Sequence, residues 1–144
     1  MTLTQTEFFK MTAAGNDFIA FDNRPGMLRD AGLADLTRRL CTRALSVGAD
    51  GVILLEESRE ADIRARFLNP DGQPTFCGNG ARCIARLVAT RAARQDRPVS
   101  MDSPGGIVHA QQPAQHFVRV LTERGWRRLV LERRAGELHR ARDQ

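Results

Sequence analysis

The sequence predicts an α+β fold, with hairpin-like strands early and late in the chain and two amphipathic helices between them. Three observations point there. Short apolar stretches are separated by turn-forming residues, two longer segments space their apolar residues helically, and strand and helix do not alternate as a parallel wound sheet requires. The 144 residues suit one domain with a single core. We place that domain at residues 1–132 and a polar C-terminal tail at 133–144.

Glu7–Met11 and Asp17–Asp22 flank the small-residue segment Thr12–Asn16 and read as strand, loop, strand. From Asp30 to Ala44, Leu33, Leu36, Leu40 and Ala44 recur at helical spacing, with arginines on the outer side. A turn at Val47–Gly51 leads into Val52–Leu55, apolar and β-branched enough for a buried strand. Ile63, Ala65 and Phe67 alternate with Arg64 and Arg66, so that strand has one buried and one wet face. Asn69-Pro70-Asp71-Gly72 has tight-turn chemistry. Ala81–Ala93 reads as the second helix, and Pro98–Met101, Ile107–Ala110, Phe117–Leu121 and Leu129–Leu131 as later strands.

Composition narrows the function. No apolar run reaches the roughly 18 residues of a membrane span, and the N-terminus lacks the basic and long apolar regions of a signal peptide. Three cysteines (Cys41, Cys77, Cys83) are too few for a disulfide scaffold and read as reduced thiols of a cytoplasmic protein. The net charge of +5 comes largely from arginines in the last quarter; such a run reads first as a solvated face, which sets nucleic acid aside as a partner.

The segment richest in chemistry is Asn69-Pro-Asp-Gly through Phe76-Cys77-Gly78-Asn79-Gly80-Ala81-Arg82-Cys83. It places a thiol where a glycine-rich turn feeds a helix, and the free N–H groups and positive dipole end there favour a nearby anion, a thiolate or a ligand carboxylate. Gly78 and Gly80 allow close backbone approach, and the Asn79 amide both donates and accepts hydrogen bonds. A bland alternative makes Cys77 a small buried residue in a capping turn. A dinucleotide-binding reading fails for want of a third glycine and a βαβ unit. Metal binding fails because Cys77 and Cys83 lie six residues apart with no histidine at ligand spacing. Cys41 and Cys83 read as packed on helix faces; Arg82 and Arg86 could pair with an acidic ligand but read first as solvated.

Cys77-Gly-Asn-Gly-Ala-Arg-Cys83, preceded by Phe67-Leu-Asn-Pro-Asp-Gly72, resembles the first active-site segment of diaminopimelate epimerases. Lys10-Met-Thr-Ala-Ala-Gly-Asn-Asp-Phe18 resembles the family's N-terminal signature, with Ala13 where glycine is usual. Leu40-Cys-Thr-Arg43 with Val47-Gly-Ala-Asp-Gly-Val-Ile-Leu54 resembles its second helix–turn–strand. The matches stand in family order over roughly residues 7–90, extend weakly through Ser103–Val108, and are clear to about residue 110.

The resemblance implies a mixed, mostly antiparallel sheet wrapped around a central helix. It implies an isomerase of lysine and peptidoglycan precursor synthesis that needs no cofactor, pyridoxal phosphate included. Two cysteines on opposite faces of the α-carbon would exchange its proton, converting LL- to meso-diaminopimelate. By position Cys77 is one of those thiols, Gly78 and Asn79 bind substrate through the helix N-terminus, and Asn16 and Asn69 contact its polar groups. Both asparagines also fit a plain turn role. The family enzyme is about twice this length, and its second half supplies the partner cysteine. The chain therefore reads as a truncated enzyme, half of a split enzyme, a homodimer that opposes two Cys77 turns, or a binding-only module.

Overall fold

The computed structural model describes residues 6–91, 97–111, 117–122 and 125–130, with side chains as far as residue 110. The chain opens on a hairpin, β1 (Phe9–Ala13) and β2 (Asn16–Asp22), paired antiparallel with Ala13 opposite Asn16. Its loop is only Ala14-Gly15, with φ of 50° and 84°. Two positive φ values in a two-residue loop match the right-handed twist of the flanking strands. Thr12, Ala13 and Asn16, expected in the loop, therefore belong to the strands.

α1 (Leu33–Cys41) follows, then β3 (Gly51–Glu56), β4 (Ile63–Leu68), a two-residue β5 (Pro74–Thr75), α2 (Gly78–Arg91), β6 (Val99–Ser103), β7 (Gly106–Gln111), β8 (Phe117–Thr122) and β9 (Gly125–Val130). Among the described residues they form one sheet in the order β1-β2-β3-β4-β6-β7-β8-β9, with β5 paired to β4. Two pairings, β2 with β3 and β4 with β6, are parallel and the others antiparallel. Parallel neighbours need a crossover connection, and each one here contains a helix.

The two helices cover opposite faces. Phe18 and Ala20 of β2, Ile53 and Leu55 of β3, and Ile63, Ala65 and Phe67 of β4 pack with Ala81, Cys83, Ile84, Ala85 and Leu87 of α2. The alternate residues Ile19, Phe21, Val52 and Leu54 pack with Leu33 and Cys41 of α1. Strand residues alternate faces with period two, so Phe18–Phe21 of β2 and Val52–Leu55 of β3 are continuous apolar runs because both faces are covered. α2 lies against β1, β2, β4, β6, β7 and β8, so the sheet curls around it as expected.

α1 is shorter than its apolar spacing suggested. It begins after Gly32, in the left-handed region at φ 80°, and ends before Thr42; Ala44 is exposed at φ 67°. Its buried face is Leu33, Thr37 and Cys41. Thr37 can be buried because its hydroxyl donates to the Leu33 carbonyl at 2.8 Å. α2 starts three residues earlier than expected, at Gly78, and its expected end, like Leu131 and the tail, lies outside the described residues. No helix among the described residues is long and apolar enough to cross a membrane.

Candidate active site

The chain's chemistry-bearing residues gather at one end of the sheet. β2 and β3 run parallel with Phe18 beside Gly51, so Asn16 and Asp17 at the start of β2 lie next to Asp50 just before β3. β4 runs back with Leu68 beside Val52, so Asn69 leaves the sheet at the same end. The N-terminus of α2 is set against this end by a close contact: a Cβ on Gly80 would lie 2.9 Å from the Phe67 ring and 3.1 Å from Ile53. Gly80 thus serves the packing of helix on sheet rather than the approach of a ligand. A Cβ on Gly78, by contrast, would meet nothing within 4 Å.

Cys77 is the N-cap of α2. The Ala81 N–H donates to the Cys77 carbonyl at 2.9 Å, the first bond of the helix. The N–H groups of Gly78, Asn79 and Gly80 therefore have no acceptor within the helix. No acidic residue stands in the first turn to answer the positive dipole end. Cys77 is half-buried and touches the edge of the α2 core. Cys41 and Cys83 are buried, at 5% and 3% exposure, and burial pushes both thiols up, Cys83 to about 12. Brief treatment of the native chain with iodoacetamide should therefore alkylate Cys77 and spare the other two. Mass spectrometry of native and denatured samples checks this; rapid native labelling of Cys83 would contradict the packing.

The structure joins Asn16 and Asn79, 63 residues apart, through a hydrogen bond from Asn79 Nδ2 to Asn16 Oδ1. Asn79 Oδ1 accepts from the guanidinium of Arg82, and Asn16 Nδ2 donates to Asp50 Oδ2 at 3.3 Å. Asn69 is exposed and starts the expected turn, its N–H donating to the Gln73 carbonyl at 2.9 Å and its carbonyl accepting from Gly72 at 2.8 Å. No hydrogen bond ties Asn69 to the Asn16–Asn79 pair. Beside Cys77, the Phe76 ring packs edge-on against Phe67 with centroids 5.8 Å apart. Gly105, in the turn between β6 and β7, lies so close that a Cβ there would be 3.3 Å from the Phe76 ring.

Sequence reading missed two features. Arg82 is not solvated but 1% exposed, directly under the first turn of α2. Asp17 and Asp50 staple the site loops reciprocally: the Asp17 N–H donates to Asp50 Oδ2 at 3.0 Å and the Asp50 N–H to Asp17 Oδ1 at 3.2 Å. Arg43 donates to Asp17 at 2.6 Å and to Asp50 at 3.1 Å, and Lys10 to Asp17 at 2.7 Å. Every one of these residues sits inside a quoted motif, but charge alone does not reveal a pairing across 33 positions.

The Arg43 hydrogen bond, opposed by burial and aided by Lys10, holds the Asp17 carboxyl well below the usual carboxylate range. Its contribution to stability is complete above about pH 4, where an unfolded aspartate is ionised, and is lost as pH falls toward the folded value. Arg43 is 60% exposed, so water screens the pair and its contribution is small. Asp17→Asn should therefore lower stability near neutral pH and flatten its fall between about pH 4 and 2, as measured by urea unfolding across that range. An unchanged acid limb would contradict the assignment.

Residues 8–125 match the sequence profile of the diaminopimelate epimerase family, further along the chain than the motifs alone reach. A diaminopimelate epimerase of Heliobacterium modesticaldum is 42% identical over 104 residues, 71% of this chain and 37% of the relative. One of Carboxydothermus hydrogenoformans is 34% identical over 116 residues, 79% of this chain and 42% of the relative. The chain thus spans about two fifths of the length of these curated relatives. Among solved structures, a phenazine biosynthesis protein of the PhzF family from Bacillus anthracis aligns with a TM-score of 0.64 at 19% identity, covering 80% of this chain and 40% of that one. A probable proline racemase from Agrobacterium radiobacter, solved with bound carbonate, aligns at 0.62 and 16% identity over 88% of this chain and 48% of that one. These two similarities speak for the fold. The profile match over most of the chain decides the family: this chain belongs to the diaminopimelate epimerase family.

Proposed function

We propose that the chain supplies one half of a cofactor-independent amino-acid epimerase site, with diaminopimelate as substrate and Cys77 as one of two proton-transferring thiols. The observation that carries the reading is the position of Cys77 at the N-cap of α2, beside three N–H groups without helical acceptors. An α-proton next to a carboxylate is weakly acidic, and its removal moves negative charge toward the carboxylate oxygens. Fixed N–H donors at Gly78, Asn79 and Gly80 favour that charge as it develops, more so where water is excluded. The Cys77 thiolate takes the proton and becomes a thiol, and a second thiol on the opposite face gives one up, inverting the centre without net proton change. Asn16 and Asn69 contact the polar groups of the substrate, a reading supported by their lying at the same end of the sheet.

The second thiol comes from outside the described segment, and the relatives' greater length supports a complementary C-terminal half over a second copy of this chain. Exchange of the α-proton of diaminopimelate in D₂O, followed by NMR, tests this. Exchange only after a complementary half is added supports the proposal. Exchange by the chain alone, lost in Cys77→Ser, would put two copies face to face. Binding without exchange under either condition would leave a binding module and overturn the catalytic reading.

A further inference from the structure

A buried arginine beneath the first turn of a helix sits at the positive end of the dipole, where a cation is least favoured. Its position calls for a physical reason. Arg82 lies three residues after Asn79 on the same side of α2 and donates to the Asn79 side-chain oxygen. A guanidinium can only donate, so that oxygen must be the acceptor and the Asn79 nitrogen the donor. That nitrogen donates to Asn16 Oδ1, which leaves the Asn16 nitrogen as donor to Asp50 Oδ2 at 3.3 Å. A carboxylate at this end can only accept. The chain Arg82–Asn79–Asn16–Asp50 is therefore terminated by a donor-only group and an acceptor-only group, and neither asparagine can flip its amide without opposing like poles at two contacts.

We infer that Arg82 is a positioning residue that sets the direction of the Asn79 and Asn16 carboxamides, with Asp50 as the opposite anchor. The consequence is chemical. With the amides so directed, each nitrogen keeps a second N–H beyond its internal bond, next to the free backbone N–H groups of α2. The first turn of α2 then offers backbone and side-chain donors together, which suits a carboxylate-bearing ligand. The inference rests on the carboxylate reading of the site, but its first test does not depend on turnover.

The test is ¹⁵N-edited NMR of the full chain, following the side-chain amides of Asn16 and Asn79. In the wild type both should be shifted from free-amide positions and slow to exchange with solvent. Arg82→Met, similar in length and unable to donate, should speed exchange of the Asn79 carboxamide about tenfold or more and weaken binding of diaminopimelate about tenfold, the scale of one charge-assisted hydrogen bond. Arg82→Lys, still a donor-only cation, should restore protection. Asp50→Ala, which removes the acceptor at the other end, should loosen the Asn16 amide while Arg82 is intact. If Arg82→Met lowers the melting temperature yet leaves both amides protected, Arg82 only fills space and the inference falls. If Arg82→Met does not fold, Asp50→Ala decides, and an unchanged Asn16 amide there overturns it. Directed amides in a chain that neither binds nor exchanges diaminopimelate would instead sink the functional reading and leave the hydrogen-bond chain standing.

Discussion

Cys77→Ser should cut α-proton exchange by about 10²–10⁴-fold, the usual contribution of a positioned acid/base group. The fold should survive the change. Serine is a preferred N-cap residue, so the start of α2 is retained or slightly strengthened by a hydroxyl that bonds the N–H of Asn79 or Gly80. The loss would then belong to the chemistry, since a hydroxyl is far less acidic than a thiol and cannot take the α-proton. Circular dichroism and thermal melting separate the two effects. A variant with a native melt and near-native exchange would remove Cys77 from the reaction.

Gly72→Ala should destabilise the chain by about 3 kcal/mol, lowering the melting temperature by about 10 °C. Two costs coincide at this position. Gly72 has φ of +83°, which side chains rarely adopt, and a Cβ there would lie 2.7 Å from the Cα and carbonyl oxygen of Ala34 and 2.8 Å from its Cβ. Those atoms belong largely to the backbone of α1 and cannot step aside as a side chain would. The turn from Asn69 and the helix would have to separate, at the expense of the Arg38 Nε bond to the Asp71 carbonyl at 3.0 Å. Gly26→Ala is the matched control: φ is +70°, and a Cβ meets nothing within 4 Å. It should cost only the conformational part, about 1 kcal/mol. Equal losses at the two sites would deny that α1 is seated on this turn.

Much of this was legible in the sequence where the signal is local. The alternation of Ile63, Ala65 and Phe67 and the Asn69–Gly72 turn both appear in the structure as read. What failed to show was set by partners distant in sequence. The parallel pairs β2–β3 and β4–β6 depend on chain returning past a helix, which periodicity does not encode. Thr37 is buried because its own helix satisfies its hydroxyl, so the buried stripe runs from Leu33 through Thr37 and Cys41, with Leu36 and Leu40 only half-buried. Glycine and asparagine are poor helix formers; that placed the start of α2 at Ala81, whereas its first turn runs through Gly78-Asn79-Gly80 and is held by packing on Phe67. A lone helix arginine reads as solvated; the burial of Arg82 goes with its hydrogen bond to Asn79, itself tied to Asn16, which the sequence does not display.

At the centre stands the first turn of α2, where backbone donors are to hold a carboxylate beside Cys77. Backbone ¹⁵N chemical shifts of the chain, titrated with diaminopimelate and in parallel with 1,5-diaminopentane, test this most directly. The diamine keeps the amino groups and lacks both carboxylates. The account predicts saturable shifts at Gly78, Asn79 and Gly80, with Asn16 following, for diaminopimelate alone. Equal shifts with the diamine, or a response that bypasses residues 78–80, would contradict it.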